Sequence, residues 1–105
     1  MTDVGEVLRV LADPTRRAIF ERLTRAETPV KELTAGLDVS QPAVSQHLAA
    51  LRRVGLVKER YEGRLTHYRA EPRGLKPLVS WLSEYQAFWV DRIEKLKTLL
   101  EEADE

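Results

Sequence analysis

The stretch from 40 to 47 carries the side chains best suited to selective hydrogen bonding, Ser40, Gln41, Ser45, Gln46 and His47, with Pro42 placed among them on the same candidate contact surface. A glutamine amide donates and accepts side by side, which matches the edge of a nucleic-acid base, and a serine hydroxyl does the same with less directionality. Guanidiniums follow on Arg52, Arg53, Arg60, Arg64 and Arg69, and a guanidinium forks onto phosphate oxygens. The chemistry on offer is recognition rather than catalysis. An enzyme needs an acid, a base or a nucleophile held together, and here His47 and His67 are isolated and cysteine is absent. That excludes disulfides, thiolate metal sites and a cysteine nucleophile, and two lone histidines make a poor zinc site. No catalytic residue, metal ligand or cofactor is expected.

To present those groups, residues 40–55 must form one helix. Ser40 is a good N-cap, Pro42 fits the first turn where no amide hydrogen is needed, and Gly55 can take the left-handed conformation that ends a helix. Val44, Leu48, Leu51 and Val54 fall on one face for burial, while Gln46, Ala49 and Arg53 fall opposite with Ser45 and Ala50 beside them. A face that is slim, uncharged near its start and basic at its end suits the DNA major groove. An ordinary amphipathic helix has the same pattern, so the helix alone leaves the two readings level. Its neighbours tip the balance. Val30, Leu33 and Leu37 mark a short helix over 30–37 opened by Thr28-Pro29, and Gly36-Leu37-Asp38-Val39 turns the chain into Ser40, giving helix, short turn, helix. Residues 56–61, the tip Glu62-Gly63-Arg64 and residues 65–70 read as a two-stranded hairpin, with Val57, Glu59 and Tyr61 on one face and Lys58 and Arg60 on the other. Arg64 at the tip, and Arg60 or Arg69 along the sides, are placed for backbone or minor-groove contacts, which position a protein without reading sequence. Tyr68 reads as a packed aromatic.

Three segments occur in a telling order: Leu11-Ala12-Asp13-Pro14-Thr15-Arg16-Arg17, Ser40-Gln41-Pro42-Ala43-Val44-Ser45-Gln46-His47-Leu48 and Leu51-Arg52-Arg53-Val54-Gly55-Leu56-Val57. With the hairpin after them, the chain resembles the ArsR/SmtB-like winged helix-turn-helix repressors over about residues 4–70. The resemblance implies a dimeric DNA-binding repressor of its own operon. Metal-sensing members of that family carry paired cysteines where this chain has Val30-Lys31-Glu32-Leu33-Thr34. A second family metal site uses histidines and carboxylates of the terminal helix, where this chain has Glu84, Asp91 and Glu94 but no histidine. Neither metal site carries over. A small-molecule effector stays open, and no residue names one.

The rest of the chain must hold this unit. At 105 residues and 43% hydrophobic, it suffices for one small domain with a modest core. The first residues are of mixed charge, and no apolar run nears membrane-spanning length, so a cytoplasmic protein with no membrane partner is expected. The formal charge is zero but unevenly spread: residues 1–39 carry −1, residues 40–74 carry +4 and residues 75–105 carry −3. The basic charge sits on the candidate reading helix and wing, where it favours phosphate, and the acidic tail limits indiscriminate binding.

Val4, Val7, Leu8 and Leu11 recur at helical spacing and predict a first helix from residue 2 or 3 to 11. Asp13-Pro14 opens a second helix with Ala18, Ile19, Phe20 and Leu23 inward and Arg16, Arg17, Glu21, Arg22 and Arg25 toward solvent. From Leu75 the stripe Leu75, Leu78, Leu82, Tyr85, Trp89, Ile93, Leu96, Leu100 and Ala103 advances by threes and fours, widened by Val79, Trp81, Phe88 and Leu99. A single helix over 75–103 would be about 43 Å long, too long and too apolar for a monomer of this size to cover. Pro77 marks its start or a small kink. A second copy of the chain is the simplest cover, which assigns Val4, Val7, Leu8, Leu78, Trp81, Leu82, Tyr85, Phe88, Trp89, Ile93 and Leu96 to a homodimer interface. An aromatic ligand pocket is the alternative.

The sequence therefore predicts a mainly α fold with a small β-hairpin. One winged helix-turn-helix domain spans residues 1–105, with 30–54 as the helix-turn-helix, 56–70 as the wing, and 1–12 and 75–105 as dimerisation helices. Its partner would be double-stranded DNA, read at an inverted-repeat operator. The competing reading is a winged-helix protein-interaction module without DNA contact. That reading calls for acidic or apolar exposure on the wing and reading helix, where this chain is basic.

Overall fold

Acidic side chains start the first two helices by accepting from amides that have no partner within the helix. In the computed structural model, which describes residues 2–103, α1 (Val4–Ala12) opens on a reciprocal capping box. Asp3 Oδ1 accepts from Glu6 N at 2.9 Å, and Glu6 Oε2 accepts from Asp3 N at 3.3 Å. Asp13 caps α2 (Pro14–Arg25) by accepting from Arg16 N at 3.0 Å, with Pro14 in the first turn. Arg16 and Arg17 then reach back to the carbonyls of Val10 at 3.4 Å and Leu11 at 3.2 Å, closing the C-terminal end of α1. Met1, Asp104 and Glu105, at the ends of the two segments assigned to dimerisation, lie outside the described residues.

Thr28-Pro29 takes a different role from the helix opening predicted for it. It forms a short strand, β1 (Thr28–Pro29), antiparallel to the second strand of the wing, with Thr28 opposite Tyr68 and Pro29 opposite His67. A residue before proline is pushed into extended backbone, and this extended pair finds an open sheet edge. α3 (Val30–Ala35) starts directly behind it without a side-chain cap, and stops two residues before the predicted end. The wing strands are β2 (Val57–Glu62) and β3 (Leu65–Ala70), so the hairpin belongs to a three-stranded sheet in the order β1-β3-β2.

Between turn and wing runs α4 (Gln41–Arg53). Ser40 Oγ accepts from Ala43 N at 3.3 Å, and Gly55, at φ +79°, ends the helix as the sequence predicts. Val44, Leu48, Leu51 and Val54 are buried against Ile19, Phe20, Leu23, Leu33, Leu56 and Val57. Each such side chain contributes about 1.5–3 kcal/mol on burial, and together they hold a fold that has no disulfide. Ala18, expected inward, is exposed, because Ile19 and Phe20 turn into the core and at 100° per residue the position before them turns out. Val7, assigned to the dimer interface, is fully buried in the protomer's own core because α2 packs across that side of α1.

The predicted continuous terminal helix is divided. A 3-10 turn (Pro72–Leu75) leads into α5 (Lys76–Ser83), with Pro77 in its first turn, and α6 (Gln86–Ala103) follows. Between them the ladder tightens, Glu84 N donating to Trp81 O at 3.2 Å and Tyr85 N to Leu82 O at 3.0 Å. Ser83 Oγ donates to the Val79 carbonyl at 2.8 Å, a bond that commonly bends a helix. Leu75 and Leu78 pack on the core and α5 lies against α1, whereas α6 buries none of its residues. No helix among the described residues is long and apolar enough to cross a membrane.

Candidate nucleic-acid interface

Because Val44, Leu48 and Leu51 fix one side of α4 in the core, its other side is presented to solvent at a set angle. Gln41, Pro42, Ser45, Gln46, Arg52 and Arg53 are exposed, and the half-buried Ala49 and Ala50 between them keep the surface low. Gln41, Ser45 and Gln46 make no side-chain hydrogen bond among the described residues, so their polar groups are available. Ser40 is exposed, but its hydroxyl oxygen is committed to the cap. His47, counted with the DNA contacts from sequence, turns instead toward α2. It is half-buried, and its Nδ1 accepts from Arg16 Nε at 3.4 Å.

The register of the wing decides which cations stay free. Val57 with Ala70, Glu59 with Tyr68 and Tyr61 with Thr66 share one face, while Lys58 with Arg69, Arg60 with His67 and Glu62 with Leu65 share the other. Gly63, at φ +61°, takes the first position of the two-residue turn and places Arg64 at the tip. Arg52 and Arg60, both expected on DNA, are already partnered. Arg52 pairs with Glu59, and Arg60 pairs with Glu27 at 2.7 Å and Glu62 at 3.1 Å. Lys58 lies 3.7 Å from Glu71. Arg53, Arg64 and Arg69 make no ion pair among the described residues, and all three are exposed.

Tyr68 packs on the core as the sequence predicts. Burial first, and the Glu59 carboxylate second, push its phenol above the ordinary value of 10.0. Arg52, Glu59 and Tyr68 thus run from α4 across both wing strands. His67 Nε2 is buried without a hydrogen-bond partner, 3.6 Å from Glu62 Oε2.

Sequence reasoning missed the link between Arg16 and His47, the carboxylate partners of Arg52 and Arg60, and the strand at Thr28-Pro29. The alternation of β2, which sets Glu59 on the same face as Val57, was the one available signal for the first ion pair. Among the described residues, no three His, Asp or Glu side chains gather as a metal ion needs. The terminal aromatics pair with one another, Trp81 with Tyr85 at 5.6 Å and Phe88 with Trp89 at 5.4 Å, both edge to face. The groove beside Trp89 measures about 240 Å³, below the usual range for ligand sites.

A helix held behind a short turn, with its polar side outward and an antiparallel wing beside it, defines a winged helix-turn-helix domain. A family model described as a helix-turn-helix domain matches residues 11–60. The HTH-type transcriptional regulator Rv2034 of Mycobacterium tuberculosis is 44% identical over 81 residues, 77% of this chain and 73% of that protein. The arsenical resistance operon repressor of Escherichia coli is 43% identical over 68 residues, 64% of this chain and 58% of that protein's length. An ArsR-like transcriptional regulator from Rhodococcus sp. RHA1 has the same architecture, with a TM-score of 0.71 and 34% identity over 90% of each chain. The chain belongs to the ArsR family of helix-turn-helix transcriptional regulators. That kinship sets aside the docking module without DNA contact.

Proposed function

We propose that two copies of this chain, joined through α1, α5 and α6, repress transcription by occupying an inverted-repeat site on double-stranded DNA. The observation that carries this reading is the open first half of α4, where Gln41, Ser45 and Gln46 project around Pro42 with their polar groups unspent. Residues at the start of a second helix of this kind meet base edges, and a glutamine amide pairs bidentately with adenine. Arg53, Arg64 and Arg69 take the phosphates and the flanking groove, while Arg52 and Arg60 act indirectly by fixing the wing through Glu59 and Glu27.

Val4 and Leu8 on α1, and Leu78, Trp81, Leu82, Tyr85, Phe88, Trp89, Ile93 and Leu96 on the last two helices, form the proposed interface. Trp89 and Phe88 are 48% and 51% exposed in the single chain, more apolar surface than one soluble chain leaves uncovered. A two-fold axis through that interface puts two α4 helices on one side, roughly 10 bp or a multiple apart on DNA. The name of the Escherichia coli relative, an operon repressor, supports repression as the sign of regulation. Acting on DNA places the protein in the cytoplasm.

The test is a binding titration on a duplex chosen by selection from random DNA and on its scrambled counterpart. Gln46→Ala should lose about 1–3 kcal/mol on the selected duplex alone. Equal weakening of both duplexes would remove α4 as the reader.

A further inference from the structure

Rows of residues four apart give α1 two working sides. Val4 and Leu8 lie on one; Glu6 and Val10 lie on the other and border a cleft of about 400 Å³. Arg16 from α2 and Ala50, Arg53 and Val54 from the end of α4 complete it, together with Arg9. We propose that this cleft binds a small organic anion, with Arg9, Arg16 and Arg53 around its charged head, and that filling it weakens DNA binding.

Charge and shape both point to this class of ligand. Three arginines and a single acidic residue, Glu6, line the cleft, and Glu6 already accepts from Asp3 N. Arg9 and Arg53 have no ion pair among the described residues, and Arg16 hydrogen-bonds a histidine nitrogen and a carbonyl, with the Asp13 carboxylate nearby but not in an ion pair with it. The positive charge is therefore left for something from outside, and guanidiniums suit carboxylate or phosphate. Val10, Ala50 and Val54 supply an apolar lining, and the volume falls within the range of small-molecule sites. A bare inorganic ion would leave that lining unused, so the ligand carries a compact carbon skeleton. A DNA phosphate could meet the same arginines, but it brings nothing to fill an apolar recess.

The position couples the cleft to DNA. Arg53 belongs to the exposed side of α4 that the proposed function sets on phosphate, and Arg16 holds His47 on the same helix. A ligand that draws Arg53 inward removes a cation from the DNA surface, and by linkage DNA opposes the ligand by the same factor. This second half of the inference rests on the repressor reading; the first half does not.

The experiment therefore has two arms. Calorimetric titration of the full chain without DNA, at fixed ionic strength against chloride, uses sodium benzoate and sodium octanoate as probes and inorganic phosphate as the head-group control. Saturable binding of one organic anion per chain is expected, tighter than phosphate, lost in Arg9→Gln and retained in Arg9→Lys. No saturable heat with either organic anion, or binding that survives Arg9→Gln, overturns the site whatever the protein does on DNA. In the second arm, the bound probe should lower DNA affinity about tenfold in the native protein and leave Arg9→Gln unaffected. If Arg9→Gln by itself weakens DNA binding, the cleft is a phosphate contact and the proposal falls.

Discussion

At the scale of single residues, what a side chain already touches governs what it can still do. Arg64 stands at the wing tip without a carboxylate partner among the described residues, whereas Arg60 is held by Glu27 and Glu62. Arg64→Ala should weaken specific and scrambled duplexes alike and flatten the dependence of log affinity on log salt by about one unit. Arg60→Ala should leave that slope close to the native one, and salt titrations of the two variants compare them directly. Asp13 responds to pH instead. The Arg16 amide is the main cause that holds its carboxyl below the ordinary 3.8. Its value in the folded chain is thus lower than in the unfolded one, so the stability it contributes is complete above 3.8 and is lost as pH falls through the folded value. Chemical denaturation from about pH 5 to pH 2 should show a shallower decline for Asp13→Asn, whose side chain still caps α2. Parallel declines would show that the cap carries no proton linkage. The residue types that suit Gln46 and Arg64 to their proposed roles were plain in the sequence. The partners of Arg52 and Arg60 were not, since they follow from strand register and from where Glu27 lies before β1.

Elements were legible in proportion to their periodicity and caps. α1, α2 and α4 each combine an apolar stripe with an acidic or serine cap and, in two of them, an early proline; α2 and α4 start where the sequence puts them, and α1 starts at Val4, one or two residues later than read, because Asp3 caps it from outside. β1 has two residues and no period, and Thr-Pro reads as well for a helix opening as for an extended pair; only the edge of β3 decides. The break at Glu84-Tyr85 was hidden because the apolar stripe runs straight across it. The joint between α4 and β2 supplies a test at this scale. Gly55 sits at φ +79° with open space where a Cβ would go, so Gly55→Ala isolates backbone strain and should destabilise by about 1–2 kcal/mol. Gly74 is different: an added Cβ would strike the Gly55 carbonyl, and the 3-10 turn would have to move. Denaturant midpoints should therefore rank Gly74→Ala below Gly55→Ala, and the reverse order would mean that the two segments separate easily.

For the molecule as a whole, the decisive feature is a terminal helix that buries nothing in its own chain. Sedimentation at micromolar concentration should give twice the chain mass, and Trp89→Asp should shift it toward the monomer while weakening DNA binding in step. Because Trp89 lies outside the core, that variant should keep its folded helix-turn-helix; a monomeric variant with native DNA affinity would dissociate the two roles. In the proposed dimer, the apolar stripe of the 18-residue α6 packs on the second chain, and such packing stabilises a helix more than propensity does. That packing enters the association constant of the proposed dimer, so while chains are scarce the population of dimer would rise with the square of supply. Halving production would remove about three quarters of the DNA-competent species rather than half. Under the proposed dimerisation, the exposed stripe of α6 would act as a dosage gauge, setting a sharp threshold in the chain's own abundance.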